Sequence, residues 1–173
     1  RPDTILVSIM AANNEIGSIQ PIKDISALLE KHPTVSFHVD AVQAIGKMPL
    51  VDFLTERVDF ATFSGHKFHS VRGVGFIFAK EGKKISPLLT GGGQESDKRS
   101  TTENVAGIAA TAKALRLVLD QFEAGQHRLL AMKKIILEEL STYPDVTIFS
   151  QMEGFLPNIL TFGIKNVRGE VTV

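Results

Sequence analysis

Three short runs rich in β-branched and aromatic residues, Thr4–Ile9, Val35–Val39 and Val58–Phe63, recur along the chain with helix-compatible spacers between them. A connection between parallel strands needs a dozen or more residues, and each spacer is long enough to supply one. Pro21 opens the first helix, which places Ile22, Ile25, Leu28 and Leu29 on one face and closes near His32-Pro33. The second spacer, Val42 to about Arg57, reads as loop and short helix. This alternation predicts an α/β fold: a mostly parallel sheet with helices on both faces. A fourth run, Val74–Ala79, follows Lys67 too closely for a helical crossover, so it is expected to lie antiparallel to its predecessor.

Beyond the sheet the pattern changes. Gly91-Gly92-Gly93 punctuates a loop, Thr101 to Glu103 offers a helix cap, and Val105 to Phe122 carries Ile108, Ala112, Leu115 and Leu119 in helical register. A second long helix is expected from about Gln126 to Leu140. Two further runs, Val146–Phe149 and Ile159–Phe162, look like strands of a new unit. A domain boundary near Gly125 therefore divides a larger domain, residues 1–125, from the start of a smaller α+β domain, residues 126–173.

Nineteen basic and nineteen acidic side chains cancel, so no global field favours nucleic acid or an anionic membrane surface. No apolar stretch approaches the roughly 18 residues of a membrane-spanning helix. The chain has no cysteine, which excludes disulfides and thiolate metal sites within it and fits a reducing, cytoplasmic setting. It opens Arg1-Pro2-Asp3 without an initiator methionine, and Gly169-Glu170-Val171-Thr172-Val173 reads as the start of a strand. These ends suggest an excerpt of a longer protein.

In an open parallel sheet, ligands collect beyond the carboxyl ends of the strands. Asn13 and Asn14 follow the first run, Asp40 and Gln43 the second, and Ser64-Gly65-His66-Lys67 the third, so three polar clusters are expected on one edge. A lysine amine forms a Schiff base with an aldehyde, and a carboxylate holds a pyridine nitrogen protonated so that the ring accepts electrons. Together they are what a pyridoxal 5'-phosphate site requires. Each residue also has a plainer reading. Loop lysines are mostly solvated, Asp40 can cap a helix, and His38 falls on the strand pattern as a core histidine. His66 and His69 lack a third donor at metal-binding spacing, so no metal is expected. Gly91-Gly92-Gly93 matches no phosphate-loop fingerprint and reads as a turn. Arg99, Ser100 and Thr102 read first as surface loop and second as an anion-binding trio.

Taken in order, Asn13-Asn14-Glu15-Ile16-Gly17, His38-Val39-Asp40-Ala41-Val42-Gln43, Ser64-Gly65-His66-Lys67, and Gly91-Gly92-Gly93-Gln94-Glu95 with Arg99-Ser100 and Thr102 resemble the cysteine desulfurase and selenocysteine lyase group of class V aminotransferase-like, fold-type I pyridoxal phosphate enzymes. The resemblance implies that Lys67 forms the Schiff base and shuttles protons, that Asp40 pairs with the pyridinium nitrogen, and that Gln43 hydrogen-bonds the cofactor's phenolic oxygen. Asn14 would lie near that oxygen and the substrate carboxylate. Ser64 and His66 would bind the phosphate, joined by Thr102 from the partner subunit of a homodimer. The implied activity removes sulfur or selenium from cysteine or selenocysteine and passes it to an acceptor protein, serving iron–sulfur cluster assembly or other sulfur transfer. Two alternatives stay open: a class V aminotransferase or kynureninase-like hydrolase, and an inert structural or dimerising fragment. His69-Ser70-Val71-Arg72-Gly73 departs from the group's usual Tyr-Gly-Pro-Lys-Gly type of sequence. The group's sulfur-accepting cysteine and substrate-gripping arginine are expected beyond Val173, and its ring-stacking histidine before Arg1.

Overall fold

The computed structural model describes residues 1–169. Strands β1 (Leu6–Met10), β2 (Ser36–Asp40), β3 (Phe60–Ser64) and β4 (Gly75–Ala79) form one sheet in that order. The pairs β1–β2 and β2–β3 are parallel, whereas β3–β4 is antiparallel, as the short connection after Lys67 requires. Helices α1 (Ile22–Leu29) and α2 (Leu50–Phe53) fill the two crossovers, and Pro21 stands at the N-cap of α1. A 3-10 turn, Gly65–Phe68, follows β3 directly.

Strand alternation divides the sheet into two unlike faces. Phe37, Val39, Ala61 and Phe63 are buried with Ile22 and Leu29 of α1, Phe53 of α2, and Phe68. Ala114, Leu115 and Val118 of a later helix pack against the same cluster. Phe76 of β4 stacks on Phe63 with ring centroids 4.5 Å apart. The opposite face carries a polar row: His38 Nδ1 meets Ser8 Oγ at 2.7 Å, and Nε2 meets Thr62 Oγ1 at 3.1 Å. Both ring nitrogens of His38 are thus engaged across three strands, and the histidine is half-buried on the sheet rather than in the main core.

One buried charge ties the sheet to its first crossover. Asp59 Oδ2 accepts from the Phe37 N–H and from Arg57 Nη1, both at 2.9 Å, while Oδ1 faces Lys83 Nζ at 3.1 Å. Arg57 also donates to the carbonyls of Leu29, His32 and Val35, which close the turn between α1 and β2. Burial acts to raise the Asp59 carboxyl, but the Phe37 N–H, Lys83 and Arg57 outweigh it and hold the group below the usual carboxylate range.

The second half of the chain departs from expectation in four places. A single turn, α3 (Gln94–Asp97), follows the glycine loop with Glu95 and Ser96 in the left-handed region. Helix α4 (Val105–Asp120) is capped by Asn104, whose side chain accepts from the Gly107 N–H, and not by the Thr101–Glu103 segment. Helix α5 (Phe122–Leu140) starts before the expected Gln126, because nothing in Phe122–Gly125 breaks a helix and one glycine is tolerated inside it. Gly125 consequently sits within α5. Strands β5 (Val146–Ile148) and β6 (Phe162–Ile164) pair antiparallel. The last strand begins later than its apolar run suggested, since Ile159 belongs to a turn closed on the Leu156 carbonyl and packs on the main core.

Residues after α5 return to the first crossover. Leu156 is fully buried in the main core, and its carbonyl accepts from the buried Lys133 Nζ at 2.9 Å. Leu156 N–H donates to the Gly17 carbonyl, Ser150 Oγ to that of Ile16, and Thr161 Oγ1 to that of Glu15. The strand start expected over Gly169–Val173 lies, past Gly169, outside the described residues. No helix among them is long and apolar enough to cross a membrane.

Candidate active site

The carboxyl ends of β1, β2 and β3 deliver Asn14, Asp40, Gln43 and Lys67 to one cleft of about 240 Å³, completed by Met10, Ala12 and Val42. Register explains the convergence. Met10 pairs with Asp40, and Asp40 with Thr62, so β1 and β2 end level, β3 runs two residues further, and all three release their loops at the same edge.

Each loop is shaped by its own backbone bonds. Asn13 Oδ1 accepts from the N–H groups of Glu15 and Ile16, both at 2.9 Å, a local turn that holds the exposed Asn14 at the rim. Asp40 Oδ1 accepts from the Val42 N–H at 3.0 Å, and the carboxylate stands exposed at the strand end. The plainer reading of Asp40 as a helix cap is not met, because this bond closes a turn and the next helix begins only at Leu50; the carboxylate also lines the cleft. Ala41–Met48 then winds through successive turns that bury Gln43.

Lys67 is half-buried in the 3-10 turn. Gly65 starts this turn in tight quarters: a Cβ there would lie 3.0 Å from the Val74 carbonyl oxygen and 3.1 Å from Thr111 Oγ1. His69, with φ of 71°, ends the turn in the left-handed conformation. Ser70 N–H donates to the Gly65 carbonyl, and Ser70 Oγ meets Thr111 Oγ1 of α4 at 2.8 Å. The unusual segment behind the lysine is thus locked onto α4 by a pair of hydroxyls.

Ser64, at the end of β3, and His66, just before Lys67 on the turn, do not line the cleft; the Ser64 side chain makes no capping bond, and His66 is exposed. Thr102 lies apart from these residues, exposed in the loop before α4, with its neighbours Arg99 and Thr101 also exposed. Among the described residues no cluster of three or more His, Asp or Glu could hold a metal ion.

Sequence reading passed over one residue of the site. Lys47 Nζ donates to Gln43 Oε1 at 3.2 Å. Burial, and then the positive charge of Lys67, push its amine down to about 8. The four-residue spacing of Gln43 and Lys47 was the available signal, because such pairs share a face wherever the chain turns helically.

The aminotransferase class-V family profile matches residues 1–173. The chain is similar to the NifS/IcsS protein homolog of Lactobacillus delbrueckii subsp. bulgaricus, with 49% identity over 172 residues, 99% of this chain and 45% of that protein. It is 41% identical to the cysteine desulfurase IscS of Dictyoglomus turgidum, over 98% of this chain and 43% of that protein. A solved structure of a NifS-like protein superposes with a TM-score of 0.92 at 40% identity, over 98% of this chain and 46% of the other. The chain therefore spans a little under half the length of the curated relatives it matches. With an α/β sheet that superposes on a NifS-like structure and a profile match over its whole length, the chain belongs to the aminotransferase class-V family.

Proposed function

We propose that this chain carries the cofactor-binding centre of a pyridoxal phosphate dependent cysteine desulfurase, an enzyme that releases sulfur from cysteine or selenium from selenocysteine. The observation that carries the reading is the joint lining of one cleft by Asn14, Asp40, Gln43 and Lys67. An amine, a carboxylate and two carboxamides around a space of that size suit a substituted aromatic aldehyde with a basic ring nitrogen. When bound, pyridoxal phosphate supplies the aldehyde and an electron-accepting ring.

The protein's own groups then divide the work. Lys67 Nζ would hold the aldehyde and, when free, could carry a proton to and from the substrate's α-carbon. Asp40, with the Val42 N–H already fixing one oxygen, would offer the other to a ring N–H and so favour the protonated ring. Gln43 and Asn14 donate to oxygens at the cleft's edge. Ser64 at the end of β3 and His66 on the lysine turn, next to but not lining the cleft, would hold the phosphate. Thr102, exposed and not among the residues that line this cleft, fits the role of a phosphate donor to the site of a second copy in a homodimer. Exposed Leu88 and Val105 near the same loop would be covered in such a dimer. Residues 126–173 would begin the smaller domain, although their contacts to Glu15, Ile16 and Gly17 already brace the loop that holds Asn14. The sulfur acceptor would be a second protein, the setting the cytoplasm, and the sulfur a supply for iron–sulfur clusters.

Borohydride reduction of the protein mixed with pyridoxal phosphate, followed by peptide mass spectrometry, tests the centre. A reduced adduct on Lys67 supports it; an adduct confined to other lysines, or none, overturns it. Release of sulfide from cysteine by the whole protein separates desulfuration from amino transfer. A keto-acid product with no sulfide would move the chain to another class-V activity.

A further inference from the structure

We propose that Lys47 is a positioning residue that sets which end of the Gln43 amide faces the cleft. A carboxamide has one accepting and one donating end, and rotation about its last bond exchanges them at little cost unless a partner discriminates. Lys47 is such a partner. Its ammonium only donates, and it lies 3.2 Å from Gln43 Oε1. Oε1 is therefore held toward Lys47, and the NH2 end is turned to the cleft that Gln43 lines with Lys67, Asp40 and Asn14.

Two features make this a built arrangement. Gln43 is only 7% exposed, so an amide flipped the wrong way would set its NH2 against the Lys47 ammonium with little water to relieve it. Lys47 is itself half-buried, and its charge lies close enough to that of Lys67 to be felt. At pH 7 an amine that titrates at about 8 is still mostly protonated, so the donor that fixes the amide is present where the protein works. The groups facing Lys47 are the Gln43 amide from its own segment and the Lys67 amine from the turn after β3.

The consequence rests on the pyridoxal phosphate reading: the cleft offers a donor, never an acceptor, to the ring oxygen beside the aldehyde. Direct binding of the cofactor, read by fluorescence or equilibrium dialysis on the whole protein, tests it without recourse to activity. Lys47→Met is expected to weaken pyridoxal phosphate binding about tenfold, the worth of one hydrogen bond to a charged group. Lys47→Arg keeps a pure donor and should restore most of the affinity. In a Gln43→Ala background, Lys47→Met should cost nothing further, because the lysine acts through the amide. The 3-O-methyl analogue of the cofactor has lost that ring oxygen's charge, and its binding should be indifferent to Lys47→Met.

Equal losses from Lys47→Met with and without Gln43, or for both ligands, would overturn the proposal and leave Lys47 as a mere neighbouring charge. Should Lys47→Met not fold by circular dichroism, Lys47→Gln, polar and shorter, carries the same comparisons. A wild-type protein that neither binds pyridoxal phosphate nor traps it on Lys67 refutes the functional reading itself, and this proposal with it. Normal wild-type binding with an unaffected Lys47→Met refutes the proposal alone.

Discussion

Replacing Asp59 by asparagine measures what one buried charge contributes to the sheet that carries the site. Asp59 is 3% exposed and serves the Phe37 N–H, Arg57 and Lys83 together. Asparagine keeps one acceptor oxygen for Phe37 but turns an NH2 toward one of the two cations. Removing one member of a buried ion pair costs about 3–5 kcal/mol, because the partner stays buried and uncompensated. Two features lower that figure here. Arg57 retains the carbonyls of Leu29, His32 and Val35, and Lys83, with a side chain 32% exposed, can turn to water. The expected loss is therefore about 2–3 kcal/mol.

Urea unfolding at pH 7, followed by circular dichroism, should show it as a lower midpoint at unchanged slope. The pH dependence supplies a second check. Asp59 has a depressed carboxyl in the folded state, so its contribution is complete above the ordinary aspartate value of about 3.9 and disappears as pH falls through the folded value. Wild type and Asp59→Asn should then converge in acid. A difference under about 0.5 kcal/mol at pH 7, the scatter of a surface substitution, would refute the reasoning, as would a gap that persists unchanged into acid.

Gly46 has φ of +71°, and a Cβ on it would sit 2.4 Å from Val118 Cγ2; Gly46→Ala should lower stability by about 2–4 kcal/mol in thermal melts, part of it regained with Val118→Ala. Ser150 is fully buried, donating to the Ile16 carbonyl and accepting from the Thr161 N–H at 2.9 Å. Ser150→Ala should cost about 1–3 kcal/mol and speed hydrogen exchange in Ile16–Ile19 while leaving β2 protected. Asp40→Asn keeps an oxygen for the Val42 N–H, so stability should stay within about 0.5 kcal/mol, while cofactor-dependent turnover by the whole protein should drop about a hundredfold. A melt shifted as strongly as the activity would assign Asp40 to the fold instead.

The sheet was readable because its signals are local. Val35–Val39 and Val58–Phe63 are compact β-branched and aromatic runs, and the brevity of the step from Lys67 to Val74 leaves no other direction for β4. Strand ends came out a residue or two late in β1, β2 and β3, since apolar content marks burial and not the last ladder bond. The start of α5 was harder. Gly125 looked like punctuation, yet a helix supported by tertiary contacts absorbs one glycine. Asn104 was overlooked as a cap because the Thr101–Glu103 segment just before it offers residue types common at helix starts.

Residue types and strand spacing alone determined that Asn14, Asp40, Gln43 and Lys67 would leave a parallel sheet at the same edge, because strand direction and crossover length follow from local chain geometry. Only the tertiary structure decided how those side chains are held. The Ser70–Thr111 lock behind the lysine turn, and the bracing of the Asn13–Gly17 loop by Ser150, Leu156 and Thr161, join residues whose meeting depends on packing. Periodicity places a residue on a face, but a hydrogen bond between two loops depends on the distance between them, and that is set by the whole core.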